Sequence, residues 1–225
     1  CGGALAARGC EVSPFRFIGT HRRTKEDPRF VSGRGRFVAD IALPQMKHVA
    51  IVASPYPSAR IKSIDASKAR AATGVLDVLT GAELCAAVNP LMIGVDAPKV
   101  LRYPLAHEVV RYAGEWVVAV VADSRALAED AAELVDVEYE PLPFVIDPER
   151  AVESDAPLVH PMHGSNIIFR RKFVWGEVDA AFAAADHELS VRARWSRNAT
   201  VPIETFGVTA QWDPGVGILD VWASI

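Results

Sequence analysis

Few residues in this chain could do chemistry, and the first candidates are two glycines. "FVSGRGRFVADI", residues 30–41, sets Gly33 and Gly35 either side of Arg34. Such a pair holds a phosphate when a buried strand leads into it and a helix leads out, so that backbone N–H groups and the helix dipole face the anion. Here a Pro-containing loop precedes the pair, no third glycine follows, and the next residues enter a Pro-limited segment, so a structural glycine turn is the preferred reading. His160 and His163 have an i, i+3 spacing that binds metal on a helix, but Pro161 between them opposes that geometry. His21, His48, His107 and His187 are scattered, and neither "HEVVR" nor "HELSV" completes H-E-x-x-H. G-x-S-x-G is absent, and Cys85 in "AELCAAV" reads as a small apolar helix residue. Glu204 in "VPIETFGV" is a carboxylate among apolar neighbours, which suits acid–base work if buried and a hydrogen-bonded structural role otherwise. Arg170, Arg171 and Lys172 would hold an anion only if they converged, whereas a strand points them to opposite sides and leaves a solvated edge. No catalytic, cofactor-binding or metal-ligating residue is assigned.

The elements that would position these groups follow from local signals. Residues 1–29 are expected to be an extended N-terminal arm, with Pro28 in "TKEDPRF" at a turn. "HVAIVA" (48–53) reads as a buried strand and "RIKSI" as a short one beyond a Pro-broken loop. Asp65 caps the short helix "ASKARAAT", which Gly74 ends. "VLDVLT" is the next strand, and Thr80 with Glu83 forms a capping box opening a helix to about Val88. Residues 89–107, with Pro90, Pro98 and Pro104, are irregular. "EVVRY", the turn "AGE" and "WVVAVVA" are expected to form a hairpin whose second strand is buried on both faces. Asp123 or Ser124 caps "RALAEDAAELV", where Leu127, Ala131, Leu134 and Val135 make one apolar stripe that packs on a sheet. "DVEYE" is a strand, and "PLPFVIDPERAV" a Pro-rich exit from it. Beyond residue 165, "SNIIFRRKFVWG" and "ELSVRARW" read as strands framing the helix "EVDAAFAAAD". In the second of these strands Leu189, Val191, Ala193 and Trp195 point one way. "FGVTAQWD", the turn "PGVG" and "ILDVWAS" form a second hairpin.

The fold class is thus α/β in local grammar, or α+β mixed, with 30–150 as a first domain, 151–165 as a linker and 166–225 as a sheet-rich second region. With 225 residues, half of them apolar, the chain can bury a real core. A net charge of −4, from 24 basic and 28 acidic residues, provides no field for nucleic acid or a membrane surface. The longest apolar runs fall well short of the roughly 20 residues of a spanning helix. Three widely spaced cysteines, Cys1, Cys10 and Cys85, suggest neither a disulfide framework nor a zinc knuckle, and a reducing, cytoplasmic location is expected. "CGGALAARGC" lacks the plan of a secretory signal and reads as a cut N-terminus, and "VWASI" ends mid-strand, so further polypeptide is expected to follow.

Several strings, in order, resemble one family. "RRTKEDPRFVSGRGRFVADIALPQMKHVAIVASPYPSARIKSID" is similar to the opening of the molybdenum hydroxylase large subunits, those of the xanthine dehydrogenase, aldehyde oxidase and aerobic carbon monoxide dehydrogenase type. There E-D, G-x-G-x-(F/Y)-x-x-D, L-P and S-P-x-x-x-A-R-I-x-x-I-D recur in that order. "VVRYAGEWVVAVVADSRALAEDAAELVDVEYEPLPFVID" resembles its second signature, with Trp116 where members often carry Pro. "GEVDAAFAAADHELS" and "VPIETFGVTAQWDPGVGILDVWAS" resemble the start of its first molybdopterin-binding domain. The likeness runs from about residue 20 to the end.

The resemblance implies an α/β hammerhead domain over 30–150 and a truncated molybdopterin-binding domain from 166. It implies hydroxylation of a small molecule with water-derived oxygen at a molybdenum–molybdopterin cofactor. Electrons would pass to iron-sulfur and FAD centres on partner subunits or domains of an oligomeric assembly. In the family, a glutamine just after the strand resembling "VWASI", then a G-G-x-F-G loop and a distant glutamate serve the molybdenum site. All three fall beyond Ile225, so this chain alone is not expected to be catalytic, and Glu204 matches a position taken as structural. One rival is a non-catalytic scaffold or binding module retaining the hammerhead fold. Another is a nucleotide-binding protein using the "VVAVVADSRA" junction, which lacks the glycines that close phosphate approach requires.

Overall fold

The computed structural model describes residues 23–91, 100–196 and 201–224. It divides into two compact units, one of residues 44–194 and one combining 1–43 with 195–225.

The larger unit is built on two three-stranded antiparallel sheets. In the first, β1 (His48–Ala53) and β3 (Val75–Thr80) flank β5 (Trp116–Ala122). β5 takes the centre because it is the one strand that buries both faces: Val117, Val118, Val120 and Ala122 are all inaccessible to water. Val120 lies opposite Ala50 of β1 and Val78 of β3. β1 is only half-buried, as befits an edge strand. In the second sheet β2 (Ala59–Asp65) lies between β4 (Val109–Val110) and β6 (Asp136–Pro141). Its inner residues Ile61, Val137 and Tyr139 pack against the shared core. On its other side Lys62 pairs with Glu138 at 2.6 Å and Arg60 with Glu140 at 3.5 Å, a solvated ladder of opposite charge.

The expected hairpin of "EVVRY" with "WVVAVVA" does not form. β4 pairs with β2 instead, and β5 belongs to the other sheet. The connection crosses between sheets: Gly114 adopts φ +90 and donates its N–H to the Ser54 carbonyl at 2.7 Å, while Glu115 accepts the Arg111 N–H. A glycine free to adopt positive φ lets the chain turn away here rather than back on itself.

Helices cover the first sheet. In α4 (Arg125–Ala132) Ser124 caps the N-terminus, accepting from the Leu127 N–H at 3.3 Å, and Ala128 and Ala131 are buried. Small residues there let the helix approach β1 and β5 closely. The expected stripe is cut short, because the helix ends at Ala132 and Leu134 lies exposed beyond it. α2 (Ser67–Ala71) follows β2, with the Asp65 carboxylate accepting from the Ser67 N–H at 2.9 Å. Gly74 leaves this helix with φ +79.

The capping box opens α3 (Gly81–Ala87) as its residues predict. Glu83 accepts from both the Thr80 N–H and hydroxyl, at 2.8 and 2.7 Å, and from Arg70 at 3.0 Å. The Thr80 bonds, with help from Arg70, hold the Glu83 carboxyl down at about 2. A carboxyl held below its unfolded value stabilises the fold above that value and loses this contribution as pH falls through the folded one. Glu83→Gln is therefore expected to cost about 0.5–1.5 kcal/mol at pH 7, the range of a lost cap on a half-exposed side chain. The difference should shrink between about pH 5 and 2, which urea melts across that range would show. A pH-independent cost would rule out the charge as its source.

In the second unit α1 (Asp27–Val31) replaces the turn expected at Pro28. Proline fits a helix's first turn, where its fixed φ is helical and its missing N–H would be unpaired anyway. Thr24 and Asp27 bond to each other across that start. A 3₁₀ turn covers Val38–Asp40, and β7 (Val208–Asp213) and β8 (Ile218–Ala223) form the expected hairpin, with all but Thr209 open to water. In the larger unit, the expected strands around "SNIIFRRKFVWG" and "ELSVRARW" are not paired with any described strand, although the helix between them forms as α5 (Val178–Ala183).

Candidate functional site

The Gly33–Gly35 loop is built for packing. Gly33 has φ +70, and a Cβ on Gly35 would stand 2.5 Å from the Phe30 ring, which stacks on Phe37 at 5.7 Å. The segment leads from α1 into the 3₁₀ turn, so no strand delivers it and no long helix receives an anion. Glu204 meets the same segment: its carboxylate accepts the Val38 N–H at 2.8 Å. That partner is a backbone donor at the start of a 3₁₀ turn, which a structural acceptor satisfies.

His160 and His163 lie on a turn, His163 N–H to His160 carbonyl at 2.9 Å, and His163 donates through Nε2 to the Ile167 carbonyl at 3.1 Å. Burial, then the Arg111 guanidinium and His163, push the His160 imidazole below its usual range. A guanidinium near His160 repels a metal cation, and Arg111 itself spends an N–H on the Val109 carbonyl at 3.0 Å. Arg111 was not legible as a neighbour of these histidines, because about fifty positions separate them. Its Nε is buried and makes no hydrogen bond to a described residue.

Asn166 carries most of the order in this loop. Its amide nitrogen donates to the Ala151 and Pro157 carbonyls, both at 2.9 Å, and its oxygen accepts the Val159 N–H at 2.9 Å. Nothing in the local pattern around residue 166 announces this, since all three partners precede it by seven to fifteen residues.

Cys85 is partly buried in α3, and Cys1, Cys10 and His21 fall outside the described residues. Arg170, Arg171 and Lys172 do not converge: Arg171 lies over the Phe169 ring at 5.3 Å, and the segment is open to water. Farther along, Arg192 pairs with Glu149 and Arg194 with Asp147, the latter at 2.8 Å. Among the described residues no three His, Cys, Asp or Glu side chains gather to hold a metal ion, and no helix is long and apolar enough to cross a membrane.

Residues 32–143 match the family model described as the aldehyde oxidase and xanthine dehydrogenase a/b hammerhead domain. Residues 159–225 match that of the molybdopterin cofactor-binding domain. The nicotine 6-hydroxylase large subunit of Paenarthrobacter nicotinovorans is 36% identical over 92% of this chain and 26% of its own length. The carbon monoxide dehydrogenase large chain of Afipia carboxidovorans is 39% identical over 92% of this chain and 27% of its own. Among solved structures, quinoline 2-oxidoreductase from Pseudomonas putida 86 superposes with a TM-score of 0.79 at 37% identity, covering 92% of this chain and 26% of that one. The Cu,Mo-CO dehydrogenase gives 0.75 at 38%, covering 91% and 27%. The chain therefore spans about a quarter of the length of the relatives it matches.

Proposed function

The chain belongs to the family of molybdopterin-binding large subunits of xanthine dehydrogenase, aldehyde oxidase and aerobic carbon monoxide dehydrogenase, and from that premise we propose that it forms the N-terminal part of such a subunit. The observation that carries this is the order of the two matches, a hammerhead domain followed directly by the opening of a cofactor domain. The complete enzyme would oxidise a small molecule with water-derived oxygen, the molybdenum–molybdopterin cofactor supplying the redox chemistry when bound. The relatives' names point to nitrogen heterocycles and carbon monoxide as the substrate range to test.

No described residue of this chain is given a catalytic or cofactor contact. Its role would be architectural: a rigid hammerhead core, a loop fixed by Asn166, and apolar surface offered to the rest of the assembly. Iron-sulfur and FAD-carrying partners would accept the electrons, in the cytoplasm. The partition into 30–150, 151–165 and 166–225 is part of this proposal, and what supports it is the gap between the two family matches, 32–143 and 159–225.

The test is elemental analysis of natively purified protein with its co-eluting chains, followed by substrate-dependent dye reduction with carbon monoxide, an aldehyde and a nitrogen heterocycle. Molybdenum and iron with one active substrate are expected. A folded, stable chain purified without metal or partner would overturn the reading in favour of a non-catalytic scaffold.

A further inference from the structure

The segment ahead of the hammerhead core is tied to the β7–β8 hairpin. Val38 donates its N–H to the Glu204 carboxylate at 2.8 Å, across 166 positions of sequence, and both residues belong to the smaller unit. Among the described residues this is the only hydrogen bond from 23–43 to the rest of the protein. A second seat lies three residues on, where a Cβ built on Gly207 would touch Val38, 3.6 Å from Cγ1 and 3.8 Å from Cβ. Gly207 is also where the hairpin is stitched at its open end. Its N–H donates to the Ser224 hydroxyl at 2.9 Å, its carbonyl accepts the Ser224 N–H at 3.1 Å, and that hydroxyl donates to the Thr205 carbonyl at 2.9 Å.

We propose that residues 27–41 are a strap that pins the open end of the β7–β8 hairpin, with Glu204 as its clasp. The strap is organised by its own contacts. The Phe30 and Phe37 rings stack, the Arg34 N–H bonds back to the Arg29 carbonyl at 2.9 Å, and the Asp40 carboxylate accepts the Phe37 N–H at 2.9 Å. The hairpin has less to hold it: Thr209 is the only buried residue of its two strands, and a two-stranded hairpin by itself is marginal in water. A hold on its open end therefore matters more than it would in a wider sheet.

Residues 32–41 fall within the hammerhead match and the hairpin within the cofactor-domain match, so the strap ties one to the other. This proposal rests on the large-subunit reading for the identity of the second domain. Glu204 is a positioning residue: it acts by fixing the strap, and through it the hairpin.

The test uses protein purified natively with its co-eluting chains, with molybdenum and iron measured on each sample. Cysteines replace Val38 and Gly207, because the 3.8 Å between their Cβ positions falls within the range of about 3.5–4.5 Å that a disulfide spans. Gly207 lies outside the left-handed region, so a side chain there brings no backbone strain. Mild oxidation followed by peptide mapping is expected to find the 38–207 bond within one chain. Hydrogen exchange by mass spectrometry then follows peptides 34–41, 207–212 and 218–224. Glu204→Ala is expected to speed exchange about ten-fold in all three, as loss of a hydrogen bond to a charged acceptor does. Glu204→Gln keeps a carbonyl oxygen for the Val38 N–H and should stay near wild type, and the 38–207 disulfide should restore slow exchange to Glu204→Ala. A carboxylate that merely capped the Val38 N–H would change 34–41 alone. Should Glu204→Ala fail to accumulate, formation of the 38–207 bond with Glu204 in place decides the matter. No such bond, a bond between two copies, an effect confined to 34–41, or no rescue by the disulfide would overturn the strap while leaving the large-subunit reading intact. Wild type without molybdenum and iron would overturn that reading, and a 38–207 bond formed in the same material would still support the strap.

Discussion

Gly81→Ala is expected to lower stability by about 3 kcal/mol, the upper end of what overpacking costs. A Cβ built on Gly81 would stand 1.9 Å from the Ala106 carbonyl oxygen and 2.9 Å from the His107 Cα. Both obstacles are backbone, so no rotamer change relieves the clash. Either α3 or the 105–107 segment must move, and Ala106 is bonded through its N–H to the Trp116 carbonyl at 2.7 Å, at the start of the central strand. For a domain of this size the melting temperature should fall by about 6–12 °C. Gly74→Ala offers a control of another kind. Its Cβ would meet the Leu127 Cδ1 at 2.6 Å, the far end of a flexible side chain, so its cost is mainly the left-handed backbone, about 1–2 kcal/mol. A Gly81→Ala melt within about 2 °C of wild type would show that the α3 start is not pinned as described.

The second large effect belongs to β5. Val120 is inaccessible to water, between Ala50 and Val78. Val120→Thr keeps the shape and adds one hydroxyl with nothing beside it to bond, at a cost of about 1–3 kcal/mol. Val120→Asp adds an unpaired buried charge and is expected to exceed about 4 kcal/mol, sufficient to unfold many domains. Urea titration of the pair separates polarity from volume. A small loss in both would mean that water reaches the strand, contrary to its burial on both faces.

What was legible in the sequence divides by range. The Thr80–Glu83 box, the Ser124 cap, the Gly74 exit and the double-sided burial of β5 are written within a few residues, and the structure has all of them. Partnering was not legible. "EVVRY" carries no mark that says β2 rather than β5, because strand choice depends on which edge is open in three dimensions. The stripe through Leu134 failed because a helix end is set by where the chain must turn into β6. Residues 166–196 have strand-like alternation, but a strand needs a ladder partner, and none is among the described residues. At the site level, the glycine loop packs Phe30 against Gly35, and Glu204 accepts the Val38 N–H. Arg111 beside His160 and the Asp147–Arg194 pair were missed because each joins positions far apart along the chain, and the Asn166 bonds because no local pattern announces partners seven to fifteen residues back.

The β1–β5 pairing sets a timetable during synthesis. β1 ends at residue 53 and its partner strand is complete only at residue 122, so 69 further residues must be translated before the two can meet. At ribosomal rates of about 5–20 residues per second that is a delay of about 3–14 s. Throughout it "HVAIVA", an apolar and β-prone hexamer, has left its own template unmade. Its gatekeepers are the Lys47 before it and the Pro55 and Pro57 just after, which shorten the stretch available to a neighbouring nascent chain.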